Sequence, residues 1–409
     1  MNEDAPPLAG VRVLDFSWVW AGPYATMLLA MMGAEVIKIE SEGRMDLMRR
    51  VVVWPLFEPA PRPVPINQGM IFNSINMSKL GATINLERPE GIELVKRLVA
   101  VSDVVLENMR PGIMDRLGLG YDALCRVNPR LVMLSSSARG ATGPESQYAG
   151  YATVHHAVGG ASYITGYPDG PPSTTLGDVD LMNATAAAYA VIAALYHREE
   201  TGEGQYIDFS QCEGVSSTIG EVLLDYEMNG RSPGRMANAD PFLAPHNVYR
   251  CWGVDRWLAI AVETDEEFRA LAQVIGRPEL ADDPRFAQAP ARKRNEAELD
   301  AVISEWTRVR DRDLAARMLC EAGVAAAPSR TGEELFHDPH LRARGAFVRI
   351  DHPEVGAREL VGLPWKMSDC EPVVRHAPLL GEHNDYVFRE LLGLPEGEVA
   401  RLQEEGVIR

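Results

Sequence analysis

The segment VRVLDFSWVWAGPYATMLLAMMGAEVIKIE, residues 11–40, decides the fold. It opens with an apolar run, residues 11–16, that predicts a strand. An apolar helix is predicted from Tyr24 to Met32, where Gly33 stops it, and a second strand follows from Glu35 to Glu40. The segment is therefore one βαβ unit, which places two strands side by side in a parallel sheet.

The rest of the first half repeats this alternation of strands and helices. Strand-like runs lie at Val104 to Leu106 and at Leu131 to Leu134, and they are separated by helical stretches that include Pro89 to Val101. The pattern predicts an α/β fold with a parallel sheet covered by helices, which binds ligands at the carboxyl ends of its strands. The proline-bearing segment Val51 to Asn67 predicts a loop, which is either a surface insertion or a lid over the substrate.

The second half contains a linker and a smaller domain. A predicted strand, Gln205 to Phe209, and a helix that runs to about Asn229 lead into a polar stretch with Pro and Gly. This composition predicts a linker over residues 226–240. Strand and helix patterns return in residues 241–334, which we interpret as a smaller α+β domain, and a final helix is predicted near Asp385 to Leu392. The length of 409 residues also favours two domains.

The composition is that of a soluble globular protein, with 46% hydrophobic and 24% charged residues. A net charge of -18 predicts that neither nucleic acid nor an anionic membrane is a partner. The five cysteines are odd in number and form no CxxC pair, which indicates neither a zinc site nor disulfides and favours a cytoplasmic location. The N-terminus has no signal-peptide pattern, and the apolar stretch Ala184 to Tyr196 is shorter than the about 20 residues that a membrane span needs.

The common catalytic and cofactor motifs are not present: there is no GxGxxG after the first strand, no Walker loop, no HExxH and no GxSxG. The most prominent candidate is Asp178, which follows Leu176 and Gly177 at the start of a long apolar helix. From the residues alone, helix capping explains this aspartate, because its carboxylate accepts hydrogen bonds from the first free N–H groups and favours the positive end of the helix dipole.

Several segments, taken in order along nearly the whole chain, resemble the class III coenzyme A (CoA) transferases, the family of formyl-CoA and carnitine CoA transferases and of α-methylacyl-CoA racemase. They are PLAGVRVLDFSWVWAGPYAT, GAEVIKIE, LENMRPG, LGLGYDAL, LGDVD, REETGEGQYIDFS and APLLGEHND. The resemblance implies CoA transfer between carboxylic acids, with Asp178 as the nucleophile. It also implies a Rossmann-like large domain of residues 1–225, completed by about 335–409, in an interlaced dimer.

The resemblance also implies a set of CoA contacts. By family position these are Val19 and Ala21 after the first strand, and the cations Lys38, Lys79, Arg110 and Arg139 for the phosphates. CoA enters as a substrate thioester, for which we expect succinyl-CoA or a similar donor, and the transfer requires no metal. The homodimer is the expected assembly, and a hetero-oligomer with a related subunit is the alternative.

The residues expected in the acid pocket separate the transferase from related activities. Trp18 and Trp20 favour a bulky or aromatic acid, with one indole in the pocket and the other in the core. Racemases of this family use a His in a segment like GHDINY, and here the matching position holds Tyr151, with His155 and His156 four and five residues further on. Racemisation is therefore the alternative activity, and intramolecular CoA transfer between two carboxyls of one diacid is also open.

Overall fold

In the computed structural model of the protein, the described residues are 5–50, 65–173 and 178–409. Six strands form the central sheet: β1 Arg12–Asp15, β2 Glu35–Glu40, β3 Leu80–Thr83, β4 Val104–Glu107, β5 Val132–Ser137 and β6 Gln205–Ser210. Their order is β3-β2-β1-β4-β5-β6, and every neighbouring pair is parallel. This is the order of the Rossmann fold, and it confirms the predicted α/β class.

The sheet is apolar on both faces because helices cover both. Leu14 and Val105 point into one core cluster, whereas Val13 and Val104, one residue earlier on the same strands, point into the other. The edge strand β3 was missed from the sequence, because its four residues, LGAT, are short and carry a glycine. The C-terminal segment covers this edge: the His383 amide donates to the Gly81 carbonyl, and the Gly81 amide donates to the His383 ring.

Within residues 5–50, 65–173 and 178–232, the helices beside the sheet are α1 Ala21–Met31, α2 Met70–Ile75, α3 Pro89–Val99, α4 Ile113–Arg116, α5 Tyr121–Val127, α6 Ala152–Val158, α7 Ala161–Ile164, α8 Asp178–Thr201, α9 Gln211–Ser216 and α10 Gly220–Asn229. The helix predicted from Tyr24 begins three residues earlier, at Ala21. Pro23 therefore lies in the first turn, where a helix tolerates proline because the backbone N–H groups there have no partner within the helix. Helices α1 and α8 pack on one face of the sheet, and α3 and α5 lie on the other.

Helix α8 is longer than the apolar stretch predicted from the sequence. It has 24 residues and is long and apolar enough to cross a membrane, judged by length and composition alone. In this fold, Ala184, Ala187, Val191 and Leu195 are buried against α1 and the sheet. The helix therefore contributes one side to the core of the large unit.

The described residues divide into two compact units. The second consists of Tyr163–Ser173 and Pro233–Arg342, and the first contains the described residues on either side of these segments. From the sequence, residues 163–173 were expected in the large domain, but in the structure they belong to the second unit. They belong with the second unit because the Arg235 guanidinium donates to the carbonyls of Tyr163 and Tyr167, and the Ala237 amide donates to that of Gly166.

The second unit has its own antiparallel sheet and its own core. The strands are β7 His246–Arg250, β8 Trp257–Ala261 and β9 Ala325–Pro328, in the order β7-β8-β9. The helices are α11 Asp265–Val274, α12 Ala289–Arg294, α13 Glu296–Thr307, α14 Arg312–Glu321, α15 Gly332–Phe336 and α16 Pro339–Ala343. Phe268, Leu258 and Ile303 lie at the centre of this core. The content is mixed, as the α+β pattern predicted.

The C-terminal segment returns to the first unit. It forms the antiparallel hairpin of β10 Phe347–His352 and β11 Gly356–Val361, a π-helical turn at Tyr386–Leu391 and helix α17 Glu396–Glu404. The final helix predicted near Asp385 is therefore the π-helical turn, and α17 follows it. Phe388 and Leu402 enter the same core cluster as Leu14, so this segment completes the large unit.

Candidate active site

A cavity of about 750 Å³ lies at the carboxyl end of the central sheet. Its walls come from the segments that follow β1, β2, β4 and β5, and they include Trp18, Ser41, Asn108 and Ser137. Strands β1 and β4 are neighbours, and the strand order reverses between them. In doubly wound sheets the ligand crevice lies at this reversal, so the cavity is where the sequence-based topology expected a ligand.

Lys38 and Lys79 lie beneath this cavity and not on its walls. Lys79 is buried, and its ammonium donates to Asp15 Oδ2 at 2.9 Å and to the Pro23 carbonyl at 2.7 Å. The Lys38 ammonium, also buried, donates to the Ser17 carbonyl at 2.7 Å and pairs with Asp46 at 3.2 Å. An enclosed ammonium has no surface for a phosphate to contact, so we correct the expectation that these lysines bind CoA.

The pKa shifts of this cluster show how strongly its charges depend on one another. Burial raises the pKa of Asp15, but the charges of Lys79 and Lys38 and the hydrogen bond from Ser17 outweigh this and hold it well below its usual range. Burial lowers the pKa of Lys79 to about 8, although the Asp15 carboxylate opposes that shift. The cluster therefore holds buried charges that are stable only as partners.

Asp46 of this cluster and Asn108 of another segment hold the loop that carries the two tryptophans. Asn108 bonds Trp18 twice: its Oδ1 accepts from the Trp18 amide at 2.8 Å, and its Nδ2 donates to the Trp18 carbonyl at 2.7 Å. The Val19 amide donates to Asp46 Oδ1, and Val19 has a φ of 73°, a strained value for a β-branched residue. The loop is therefore held in an unusual shape by two side chains from other segments.

Both indoles lie on the cavity wall, together with Val19 and Ala21. The expectation that one of them enters the core is wrong, because β1 ends at Asp15 and the alternation of a strand does not continue to Trp18 and Trp20. Their side chains are partly exposed in the cavity. The cavity wall on this side is therefore broad, apolar and aromatic.

Three of the arginines that the structure describes lie on the cavity wall. Arg110 follows β4 and is exposed, and Arg44 and Arg116 lie on the same cavity. Arg44 pairs with Glu87 at 3.3 Å across an exposed surface, where ion pairs contribute little. Sequence reasoning missed Arg44 and Arg116, and their positions shortly after β2 and in α4, which follows β4, are the signal that could have found them.

Arg139 lies just behind the cavity wall. Its guanidinium pairs with Glu145, and it stacks over the ring of Tyr148 at 5.3 Å. Its neighbour on the wall is His155, whose pKa is lowered to about 4 by burial and by the charge of Arg139, although the Gly150 backbone opposes the shift. His155 is therefore neutral near pH 7. Tyr151, also on the wall, is largely exposed.

Asp178 is the first residue of α8, and its side chain is exposed. Its Oδ1 accepts from the Val179 amide at 2.8 Å, so it contributes to the helix start as the capping hypothesis predicted. Leu176 and Gly177 of the motif lie outside the described residues, as do residues 51–64 of the predicted loop. Two residues further on, Asp180 lies on the cavity wall, and burial together with the charge of Asp178 raises its pKa to about 6.

A buried acid that the sequence did not single out lies next to the cavity residues Asn108 and Met109 in the chain. Glu107 ends β4, and its carboxylate accepts from the Met109 amide at 2.7 Å. Burial raises its pKa to about 7, although hydrogen bonds from Ser135 and Met109 oppose the shift. Across residues 5–50, 65–173 and 178–409, no three His, Cys, Asp or Glu side chains come close enough to hold a metal ion.

Comparison with known proteins identifies the family. The model of CoA-transferase family III matches residues 8–384. The chain belongs to this family. This family III chain is 38% identical to the succinyl-CoA–D-citramalate CoA-transferase of Chloroflexus aurantiacus, with 100% of both chains covered. It is 34% identical to the succinyl-CoA–L-malate CoA-transferase beta subunit of the same organism, with 98% of both covered.

A solved structure supports the same assignment. The CAIB/BAIF family protein from Brucella suis has a TM-score of 0.84 and 33% identity to this family III chain, covering 95% of this chain and 100% of that one. The resemblance seen in the sequence is thereby confirmed. The protein is a CoA-transferase, an enzyme whose substrates are CoA thioesters.

Proposed function

We propose that this enzyme moves CoA from succinyl-CoA to a second carboxylic acid through a covalent thioester on Asp178. The observation that carries the proposal is the position of Asp178, an exposed carboxylate at the first turn of a 24-residue helix, two residues before the cavity residue Asp180. The donor follows from the relatives, whose names specify succinyl-CoA.

The helix start suits a carboxylate nucleophile. The free N–H groups and the dipole of α8 favour negative charge at its first turn, and Asp178 Oδ1 accepts a hydrogen bond from one of these N–H groups. Because the side chain is exposed, a thioester can approach it without a rearrangement of the core. Capping and catalysis are therefore compatible roles for the same residue.

The reaction consists of carboxylate and thiolate exchanges. A carboxylate oxygen of Asp178 attacks the thioester carbonyl, the C–S bond breaks, and CoA leaves as a thiolate. The thiolate attacks the aspartyl carbonyl of the anhydride, which releases the first acid and leaves an aspartyl-CoA thioester. The carboxylate of the second acid then attacks the aspartyl-CoA carbonyl, which releases CoA thiolate and forms a second anhydride. The thiolate attacks the acyl carbonyl of the second acid, which forms the new acyl-CoA and releases the Asp178 carboxylate. No net proton transfer occurs, so the chemistry does not depend on a general base.

Arg44, Arg110 and Arg116 are the residues that we propose for the CoA phosphates. All three lie on the cavity wall, and guanidinium groups bind phosphate through paired N–H donors. Val19 and Ala21, on the same wall, are the proposed neighbours of the pantetheine arm. This set replaces Lys38 and Lys79.

The acid pocket that we propose lies against Trp18, Trp20, Tyr151 and His155. All four line the cavity, and the two indoles provide a broad apolar surface. A bulky carbon skeleton packs on this surface better than formate or oxalate. Similar values of kcat/KM for formate and for a bulky acid would contradict this part of the proposal.

Racemisation and intramolecular transfer give different products and are therefore separable. Racemisation at the α-carbon exchanges a proton with solvent, whereas transfer through Asp178 leaves that proton in place. A neutral His155 can accept a proton, but the family position of the racemase base is occupied by Tyr151. Intramolecular transfer converts a single diacyl-CoA without a second acid.

We further propose that the enzyme is a cytoplasmic homodimer with the interlaced form implied by the family. Helices α8 and α10 expose large apolar side chains, among them Tyr189, Tyr196, Leu223, Tyr226 and Met228. Exposed apolar surface of this kind is typical of an interface. A related subunit is the alternative partner, since one relative is named as a beta subunit.

The proposal is tested by mass spectrometry of the protein after incubation with succinyl-CoA and with a panel of other acyl-CoAs. We expect a CoA-sized adduct on the wild type that hydroxylamine or borohydride traps on the peptide containing Asp178. Asp178→Ala removes the adduct, whereas the matched variant Asp180→Asn keeps it on residue 178.

Three other results would contradict the proposed reaction. An adduct on Asp178→Ala would place the nucleophile elsewhere. The lack of an adduct with every donor, together with exchange of the α-proton into solvent, would favour racemisation. CoA transfer with one diacyl-CoA and no second acid would show the intramolecular reaction.

A further inference from the structure

One end of the cavity is polar, and its hydrogen-bonding groups are not satisfied. Ser137, His155 and Gln211 all lie on the wall, and each is more than nine-tenths buried. Ser137 Oγ, Gln211 Oε1 and both ring nitrogens of His155 make no hydrogen bond of standard geometry within the described part of the chain, although the His155 ring lies close to the Gly150 backbone. An unsatisfied buried polar group destabilises the fold, so several around one cavity indicate that a ligand completes them.

The fold brings these three residues together at one place. Ser137 is opposite Ser210 in the β5–β6 register, and Gln211 follows Ser210 at the start of α9. The Gln211 amide nitrogen donates to Ser136 Oγ at 2.6 Å, so the Oε1 atom of the same amide points away from Ser136.

Gly150 leaves the space that the His155 ring occupies. A Cβ at residue 150 would lie 2.8 Å from His155 Nε2 and 3.1 Å from the Cβ of Ala138, which follows Ser137. The ring therefore packs beside the end of β5.

The chemical character of this end favours a hydroxyl group over a second carboxylate. Ser137 and one ring nitrogen of His155 donate hydrogen bonds, whereas Gln211 Oε1 and the other ring nitrogen accept them. A hydroxyl group both donates and accepts, so it matches a mixed set. A carboxylate only accepts, and it would meet Gln211 Oε1 and the carboxyl group of Asp180 on the same wall.

We infer that the acid substrate of this enzyme carries a hydroxyl group, which Ser137, His155 and Gln211 bind at the polar end of the cavity while the carbon skeleton packs on the indoles of Trp18 and Trp20. This inference rests on the proposed transfer reaction and specifies its substrate class. His155 binds as a neutral imidazole, so its contribution does not vary with pH near neutrality.

The test compares acids that differ by one hydroxyl group, with succinyl-CoA as the donor. The pairs are 2-hydroxyglutarate with glutarate and 3-hydroxybutyrate with butyrate, each hydroxy acid as both enantiomers. We expect one enantiomer in each pair to exceed the deoxy acid in kcat/KM by about 10- to 100-fold, because a missing hydroxyl leaves buried groups unpaired.

Variants connect this preference to the three residues. His155→Leu removes both ring nitrogens and is expected to reduce the preference to about 3-fold or less, and His155→Gln restores part of it. His156→Leu is the matched control, because His156 is also buried in α6 but bonds Ser162 at 2.8 Å and is not on the cavity wall. It is expected to keep the preference.

Ser137→Ala gives an independent test, because this variant is expected to be at least as stable as the wild type. It removes an unsatisfied buried hydroxyl, so the thermal unfolding midpoint is expected to stay equal or rise while the hydroxyl preference falls. A purely structural role for Ser137 predicts the reverse, a lower midpoint with an unchanged preference.

Two results would overturn the inference. Equal kcat/KM within both pairs would show that the polar end does not bind a hydroxyl group. A preference for glutarate over butyrate without a hydroxyl effect would show that it binds a carboxylate. If the Asp178 adduct forms and CoA is transferred in these experiments, the proposed function stands and only the substrate class fails. If no acid receives CoA and no adduct forms, the proposed function itself fails.

Discussion

Lys79→Met tests whether the lysines beneath the cavity stabilise the fold or bind CoA. The wild-type ammonium has three acceptors: Asp15 Oδ2 at 2.9 Å, the Pro23 carbonyl at 2.7 Å and Asn76 Oδ1 at 2.7 Å. The variant keeps a side chain of similar length but leaves the Asp15 carboxylate buried with only hydroxyl and amide donors and the more distant Lys38. Removing one partner of a buried ion pair costs about 3–5 kcal/mol. We therefore expect the unfolding equilibrium constant to rise roughly 150- to 5,000-fold.

The measurement is the free energy of unfolding from denaturant titration, followed by circular dichroism. Lys96→Met is the matched control, since Lys96 pairs with Glu93 at 2.7 Å on the surface, where about 1 kcal/mol or less is expected. The double variant Asp15→Asn with Lys79→Met removes both charges. It is expected to be more stable than the sum of the single variants predicts, because the two residues interact directly.

A specific result would refute this reasoning. If Lys79→Met unfolds within about 1 kcal/mol of the wild type and raises KM for the CoA thioester, then the lysine contacts the substrate, as its family position suggested. A loss of stability with an unchanged KM would establish the structural role. The two quantities are measured on the same preparation, so the outcomes do not overlap.

Three further predictions concern Gly150 and Asn108 on the cavity wall and the buried Glu107 beside them. Because burial raises the pKa of Glu107 to about 7 from an unfolded value of 4.5, the folded state binds the extra proton between these values, and stability falls as pH rises through this range by up to about 3 kcal/mol. Glu107→Gln is expected to flatten this dependence in denaturant titrations from pH 4 to pH 8, and an unchanged slope would contradict the assignment. Gly150→Ala, whose Cβ would displace the His155 ring, is expected to lower kcat/KM for the best acid at least 10-fold. The KM for the CoA thioester, measured as the control, is expected to stay unchanged. Asn108→Leu removes both hydrogen bonds to Trp18 and is expected to reduce kcat/KM about 10- to 100-fold; a crystal structure with the loop unmoved would argue against this positioning role.

Sequence patterns predicted the elements whose signal is local. Strand β2 was predicted with the residue bounds that the structure has, and β1 and β4 within one or two residues, because buried parallel strands are continuous apolar runs. Helix α8 was found but placed too short, since its polar first turn at Asp178 and its last turn near Thr201 do not contribute to apolar periodicity. Strand β3 was missed because four residues with a glycine carry almost no local signal.

The site was predicted only in part, since a side chain's environment depends on contacts that are distant in sequence. Lys79 directly precedes β3 and was assigned to CoA by its family position, yet its partner Asp15 lies 64 residues earlier, and no local pattern reveals that pair. Trp18 and Trp20 were assigned opposite directions by strand alternation, whereas Asn108, 90 residues away from Trp18, holds the loop so that both indoles line the cavity.

By itself, the sequence determined the α/β class, the family and the candidate nucleophile, because apolar runs and the order of the family's motifs along the chain can be read from the sequence directly. The tertiary structure alone decided which charged groups are buried as partners and which face the cavity. It also brought Ser137, His155 and Gln211 to one end of that cavity, where their hydrogen bonds are left open. The physical reason is that burial and hydrogen-bond satisfaction are set by packing between segments far apart in the chain, and these two quantities decide charge state and binding.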